Sequence, residues 1–124
     1  MFGYRVAAAV ALSLALVAPA AAQPARQTIV VWSFGFSPQP IQLAAGRPVT
    51  LVFQNRSSGS HDFTAETFFG ASRIIAGSAP EGEIELRGNE TKSITLIPRA
   101  GVYKAHCSHF MHSMLGMTDR IIVN

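Results

Sequence analysis

The 124-residue chain has a single cysteine, Cys107. That count rules out an intrachain disulfide framework, the usual support of small exported domains. Runs of Lys or Arg are missing, and the formal net charge is only +3, so composition gives no argument for nucleic acid. No apolar run reaches the roughly 20 residues needed to span a bilayer. The run Val6 through Ala18 has thirteen. There is no long amphipathic helix pattern, no internal repeat and no low-complexity linker. These absences leave one small domain that forms its own core without covalent staples.

What the N-terminus does contain is an export pattern. Arg5 supplies a positive start, the apolar run follows, Pro19 breaks it, and Ala20-Ala21-Ala22 fits a small-residue cleavage site before Gln23. Residues 1–22 are therefore expected to be a secretory signal peptide, with 23–124 as the mature domain in the periplasm. An uncleaved membrane anchor is the alternative. No cysteine follows the signal, so no lipid attachment site is present. Loss of Arg5 lowers the charge from +3 to +2.

Beyond Gln23 the pattern is that of short strands. Thr28 to Phe36 is β-branched and aromatic, and Pro38 and Pro40 interrupt it. Ile41-Gln42-Leu43 alternates. In Val49 to Asn55, Val49, Leu51 and Phe53 share one face. Asn55 to Ser60 is a polar loop with His61 at its far end. Residues 63–80 hold no clear period, and a short helix or irregular excursion is expected there. Glu83 to Leu86, Thr91 to Ile97, Val102 to His106 and Met117 to Val123 complete about seven strands. The expected fold is all-β, a Greek-key antiparallel β-sandwich.

The chemistry concentrates in residues 103–117. This stretch holds Cys107, three of the four histidines (His106, His109, His112) and three of the four methionines (Met111, Met114, Met117). Thiolate, imidazole and thioether are the soft and borderline ligands that suit copper, and His2Cys with a weak axial Met is the ligand set of blue-copper electron-transfer sites. The histidine outside the stretch is His61, 46 residues before Cys107. One full set is present, with donors to spare. A lone exported cysteine is otherwise a reactive thiol, an intermolecular partner or a small buried hydrophobe. His106 precedes Cys107 on a strand, so its side chain points to the opposite face. Phe110, Met111, Met114 and Leu115 either cap the core or form an exposed docking patch.

The mature chain resembles the cupredoxins, the small blue-copper β-sandwich proteins. Phe36-Ser37-Pro38 with Ile41 to Gly46 looks like the family's opening pattern. Val49 to Asn55 followed by His61-Asp62-Phe63 looks like its first-ligand region, and Gly101-Val102-Tyr103 leading to Cys107, then His112 to Met117, like its ligand loop. The resemblance implies that His61, Cys107, His112 and Met117 hold one copper ion cycling between Cu(I) and Cu(II). The Cys-x4-His-x4-Met spacing is similar to that of rusticyanin-like members. The resemblance also implies that Asp62 and Ser108 are hydrogen-bonded and hold the two ligand loops together. His109, two residues after Cys107, is additional to the usual loop and competes with His112 for the second imidazole place.

The function so implied is transfer of single electrons between redox partner proteins by transient docking, without enzymatic activity and as a monomer. The alternative is a periplasmic copper carrier or copper-resistance protein that uses the His- and Met-rich loop. A third possibility is an enzyme with an open copper position built from His61, Cys107 and two loop histidines. A metal-free binding module fits the loop composition poorly.

Overall fold

The computed structural model describes residues 2–17, 23–109 and 116–124. Among these residues ten strands run in chain order: β1 (Ala25–Trp32), β2 (Gly35–Ser37), β3 (Ile41–Leu43), β4 (Val49–Asn55), β5 (His61–Thr64), β6 (Arg73–Ala76), β7 (Glu83–Leu86), β8 (Thr91–Ile97), β9 (Gly101–His106) and β10 (Thr118–Val123). One short helix, α1 (Glu66–Ala71), lies between β5 and β6. The strands form two five-stranded sheets, ordered β2-β1-β4-β8-β6 and β3-β10-β9-β5-β7. Strand alternation turns one face of each sheet inward, and these faces close on a single apolar core. Residues 2–17 are exposed and carry neither helix nor strand. Among the described residues no helix is long and apolar enough to cross a membrane.

The β-sandwich expected from the sequence is present, and its sheets are mixed. β1 runs parallel to β4, pairing Ala25 with Val49 through Val31 with Asn55. β3 runs parallel to β10. Parallel neighbours need a crossover, and the chain makes one between β1 and β4 by placing β3 in the opposite sheet. Three features raise the strand number from about seven to ten, the first being that the chain from His61, at the far end of the polar loop, is itself a strand, β5. The apolar stretch 28–36 folds back at Ser33-Phe34, so that Val31 faces Phe36 and Trp32 faces Gly35. The excursion over 63–80 contains α1, the edge strand β6 and a 3-10 turn at Pro80–Gly82.

An aromatic cluster fills the core beneath one end of the sandwich. The ring of Phe63 lies 5.2 Å from Phe36, 4.9 Å from Phe53 and 6.3 Å from Phe69. Phe68 and Phe69 are the buried side of α1, and Phe68 meets Tyr103 of β9 at 5.5 Å. The Tyr103 hydroxyl donates to the Arg99 carbonyl at 2.8 Å, pinning the turn that enters β9. Phe63 touches both sheets and the helix, so its loss leaves a cavity with no single neighbour able to fill it. Phe63→Ala is expected to cost about 3–5 kcal/mol in urea unfolding. A loss below about 1 kcal/mol would show that the cluster can collapse into the space.

Candidate metal centre

The neck of the β9–β10 hairpin sets the first two candidate donors. Cys107 directly follows β9 and Met117 directly precedes β10. The Cys107 N–H donates to the Met117 carbonyl at 3.0 Å. Alternation continues the inward faces of both strands, Tyr103 and Ala105 on one and Ile121 and Val123 on the other, through these two residues. Both side chains are fully buried. Their side chains therefore join the core at the β9–β10 hairpin end of the sandwich.

His61 arrives from the other sheet's connection. Asn55 ends β4, and its buried side chain organises the turn that follows. Its amide donates to the carbonyls of Gly59 (2.8 Å) and Arg87 (2.9 Å), and its oxygen accepts from the Ser57 N–H and hydroxyl. Gly88 allows this loop to lie against the β7–β8 turn, because a Cβ there would overlap the Ser58 carbonyl. The chain then re-enters the sheet at His61, which pairs with Leu86 and is 5% exposed. His61 and Phe63 share the inward face of β5, while Asp62 and Thr64 take the outer face with Glu85 and Glu83 opposite them.

Asp62 joins the two ligand segments. Its Oδ1 accepts the Ser108 N–H at 2.8 Å and the Thr64 hydroxyl at 2.7 Å, and its Oδ2 accepts the Ser108 hydroxyl. Its own N–H points at the Cys107 sulfur, 3.5 Å away. The Asp62–Ser108 bond implied by the family resemblance is present. Thr64, Asn55 and Glu85 were not picked out from sequence. Glu83-Ile84-Glu85 alternation does put two carboxylates on one face, but its register against Asp62 has no local signal.

Burial pushes the Cys107 thiol up, against the lowering pull of backbone groups of Asp62 and His109. The carboxylates of Asp62 and Glu85 add to the rise. A dry thiol of this kind becomes a thiolate when a cation binds it. The donor chemistry fits copper: a buried thiol, a buried thioether, and an imidazole one residue from the N–H that faces the sulfur. His106 takes the outer face, half-buried, in a groove with Gln39, Lys104 and Arg120. His109 also turns outward. Its Nε2 lies 3.0 Å from Glu85 Oε1 and 3.5 Å from Asp62 Oδ2. His112, with Phe110, Met111, Met114 and Leu115, lies outside the described residues.

The buried cysteine at a hairpin neck, tied to a histidine strand of the same sheet, is the arrangement expected from the ligand-loop pattern. The chain belongs to the cupredoxin-like domain family. The family match covers residues 5–123. No curated protein sequence matches the chain. Among solved structures, this cupredoxin-like fold is similar to a multicopper oxidase from Campylobacter jejuni described as a metallo-oxidase. The TM-score is 0.64 at 14% identity over 86% of this chain, which spans only 31% of that protein. It is similar to auracyanin from the photosynthetic bacterium Roseiflexus castenholzii, with TM-score 0.61 and 14% identity, covering 84% of this chain and 99% of that one. Auracyanin A, a "blue" copper protein from the green thermophilic photosynthetic Chloroflexus aurantiacus, gives TM-score 0.55 and 23% identity, covering 80% and 99%.

Asp119 lies two residues beyond Met117 on the same inward face. Oδ1 accepts the Arg120 N–H at 2.7 Å, and among the described residues Oδ2 has no hydrogen-bond partner. Burial raises its pKa to about 6, against the lowering pull of the Arg120 backbone and charge. A carboxyl raised on folding binds its proton more tightly in the native state. Its contribution is favourable at low pH and is lost as pH rises from the unfolded value of about 4 to about 6. Asp119→Asn should therefore stabilise the protein on the order of 1–2 kcal/mol at pH 7.5 and by little at pH 4. Thermal melts of both proteins at the two pH values test this, and an equal change at each pH would contradict it.

Proposed function

We propose that this protein is exported to the periplasm, loses residues 1–22 and carries single electrons between redox proteins through one copper ion. His61, Cys107, His112 and Met117 hold the ion. The bound copper supplies a one-electron couple between Cu(I) and Cu(II). The observation that carries the proposal is the setting of Cys107. Its sulfur is fully buried, faces the backbone N–H of the residue after His61, and leaves a hairpin neck shared with Met117.

The protein's part in the chemistry is rigidity. Copper(I) and copper(II) prefer different geometries, so a site whose ligands are fixed from outside changes little between the two states. Asp62 locks the His61 strand to the Cys107 segment, and the sandwich anchors both. The outward turn of His109 to Glu85 supports giving the second imidazole place to His112, in the rusticyanin-like Cys-x4-His-x4-Met order that the family resemblance implies. Four protein donors leave no open position for a substrate, which favours a carrier over an enzyme. The hairpin tip between β1 and β2 adds a contact surface at this end. Trp32 and Phe34 are exposed and packed edge to face at 5.9 Å, and the Phe34 carbonyl lies beside Gly116. A small apolar surface suits brief redox encounters that bury less than about 1,200 Å². The protein acts as a monomer.

The copper(II) absorption spectrum of the mature protein is the test. An intense band near 600 nm is the expectation from family resemblance, and Cys107→Ser should remove it while circular dichroism stays unchanged. His112→Gly should bleach the band and recover it with added imidazole, whereas His109→Ala should leave it nearly intact. Unchanged colour in Cys107→Ser would falsify the blue-copper assignment. Bleaching by His109→Ala alone would transfer the ligand role to His109.

Export has its own measurement. Mass spectrometry of protein recovered from the periplasm of a Gram-negative host should find Gln23 at the N-terminus. An intact Met1 in the membrane fraction would favour an anchor. The copper-carrier reading draws on the outward His109 and on Met111 and Met114 of the loop. A carrier gives up copper(I) to a chelating acceptor protein, whereas an electron carrier retains it through repeated oxidation and reduction.

A further inference from the structure

Three donors that the copper assignment does not use converge beside it. His109 comes from the segment after β9, Asp62 from β5 and Glu85 from β7. One ligand atom from each lies within 4.8 Å of the others. The closest pairs are His109 Nε2 to Glu85 Oε1 at 3.0 Å and to Asp62 Oδ2 at 3.5 Å. Donors about 2.0–2.1 Å from one tetrahedral ion lie about 3.3 Å apart, so the two His109 separations, which serve as hydrogen-bond and ion-pair contacts here, bracket the spacing of shared coordination.

Charge supplies a second, independent argument. Asp62 and Glu85 are directly opposite cross-strand partners, with Thr64 and Glu83 the next outward pair. Like charges directly opposite each other destabilise a sheet. Asp62 is fully buried on this face, and the hydrogen bonds from Ser108 and Thr64 offset part of its charge without supplying a cation. The nearby Lys92 pairs with Glu90 instead. Among the described residues, the ion-pair partner of both Asp62 and Glu85 is the single imidazole of His109. A divalent ion in the same place balances both carboxylates.

We propose that His109, Glu85 and Asp62 form a second metal site, open to solvent, for a divalent transition ion such as zinc(II) or copper(II). The chemical class follows from the donors. One imidazole and two carboxylates, with no sulfur, select borderline divalent ions and disfavour copper(I). Glu85 and His109 are accessible, so water completes the coordination and the ion exchanges readily. The two sites thus sort by softness, a thiolate site inside and a nitrogen–oxygen site at its rim. They are close: the rings of His61 and His109 are 6.4 Å apart.

Zinc(II) is the probe, titrated calorimetrically into the full mature protein already loaded with one equivalent of copper. The expected result is one zinc per chain, with affinity falling about tenfold or more in Glu85→Gln and in His109→Ala. The visible copper band should persist in both variants. The same titration on Cys107→Ser separates this site from the copper assignment. Zinc bound there, and weakened by adding Glu85→Gln, supports the second site even where the blue-copper assignment fails. No zinc uptake by the parent protein, or equal affinity in both variants, overturns the proposal. Loss of the copper band in His109→Ala overturns it too, because His109 then belongs to the inner site.

Discussion

The carboxylate of Asp62 holds together parts of the chain that sequence separates by 46 residues. Its oxygens take hydrogen bonds from Thr64 on its own strand and from both donors of Ser108 on the other segment. Charge-assisted bonds of this kind are short and strong, and inside a protein an unmatched carboxylate is costly. Every other element of the candidate centre depends on that closure. It fixes the Cys107 sulfur against the Asp62 N–H, positions His61 one residue away, and directs the next residue, His109, outward.

The core and the centre are continuous. Phe63 follows His61 on the same face by strand alternation, and its ring contacts reach both sheets and α1. Cys107 and Met117 end inward rows that begin at Tyr103 and Val123. The candidate donors His61, Cys107 and Met117 are thus the last layer of an ordinary hydrophobic interior. Distortion at the centre has to displace close-packed rings, and close packing resists it.

Local patterns made the sandwich readable: alternation in Val49 to Asn55, the Gly and Pro breaks, and the final strand. The Cys107 loop pointed to copper chemistry because sulfur and imidazole donors crowd into one stretch. What was hidden is pairwise and long-range. Nothing within Thr28 to Phe36 marks the fold-back at Ser33-Phe34 strongly, since both arms are equally apolar. The parallel pairing of β1 with β4 depends on where β3 lies in the other sheet. Glu85 gains its importance from its register against Asp62, and a single sequence carries no signal for that register. The excursion after Phe63 hides its helix because α1 is six residues long, too short to show a helical period.

The hydrogen bond between the Cys107 N–H and the Met117 carbonyl has a consequence for how such a protein can vary. It closes residues 108–116 into a ring whose ends are held by the β9–β10 ladder whatever lies between them. Closing a longer flexible ring costs little, about 0.6 kcal/mol for each doubling of its length. Insertions and deletions in that segment can therefore re-space the candidate donors without unsettling the sandwich core below. Ligand spacing becomes a property of one exchangeable cassette, while the stiffness that surrounds it is inherited from the scaffold.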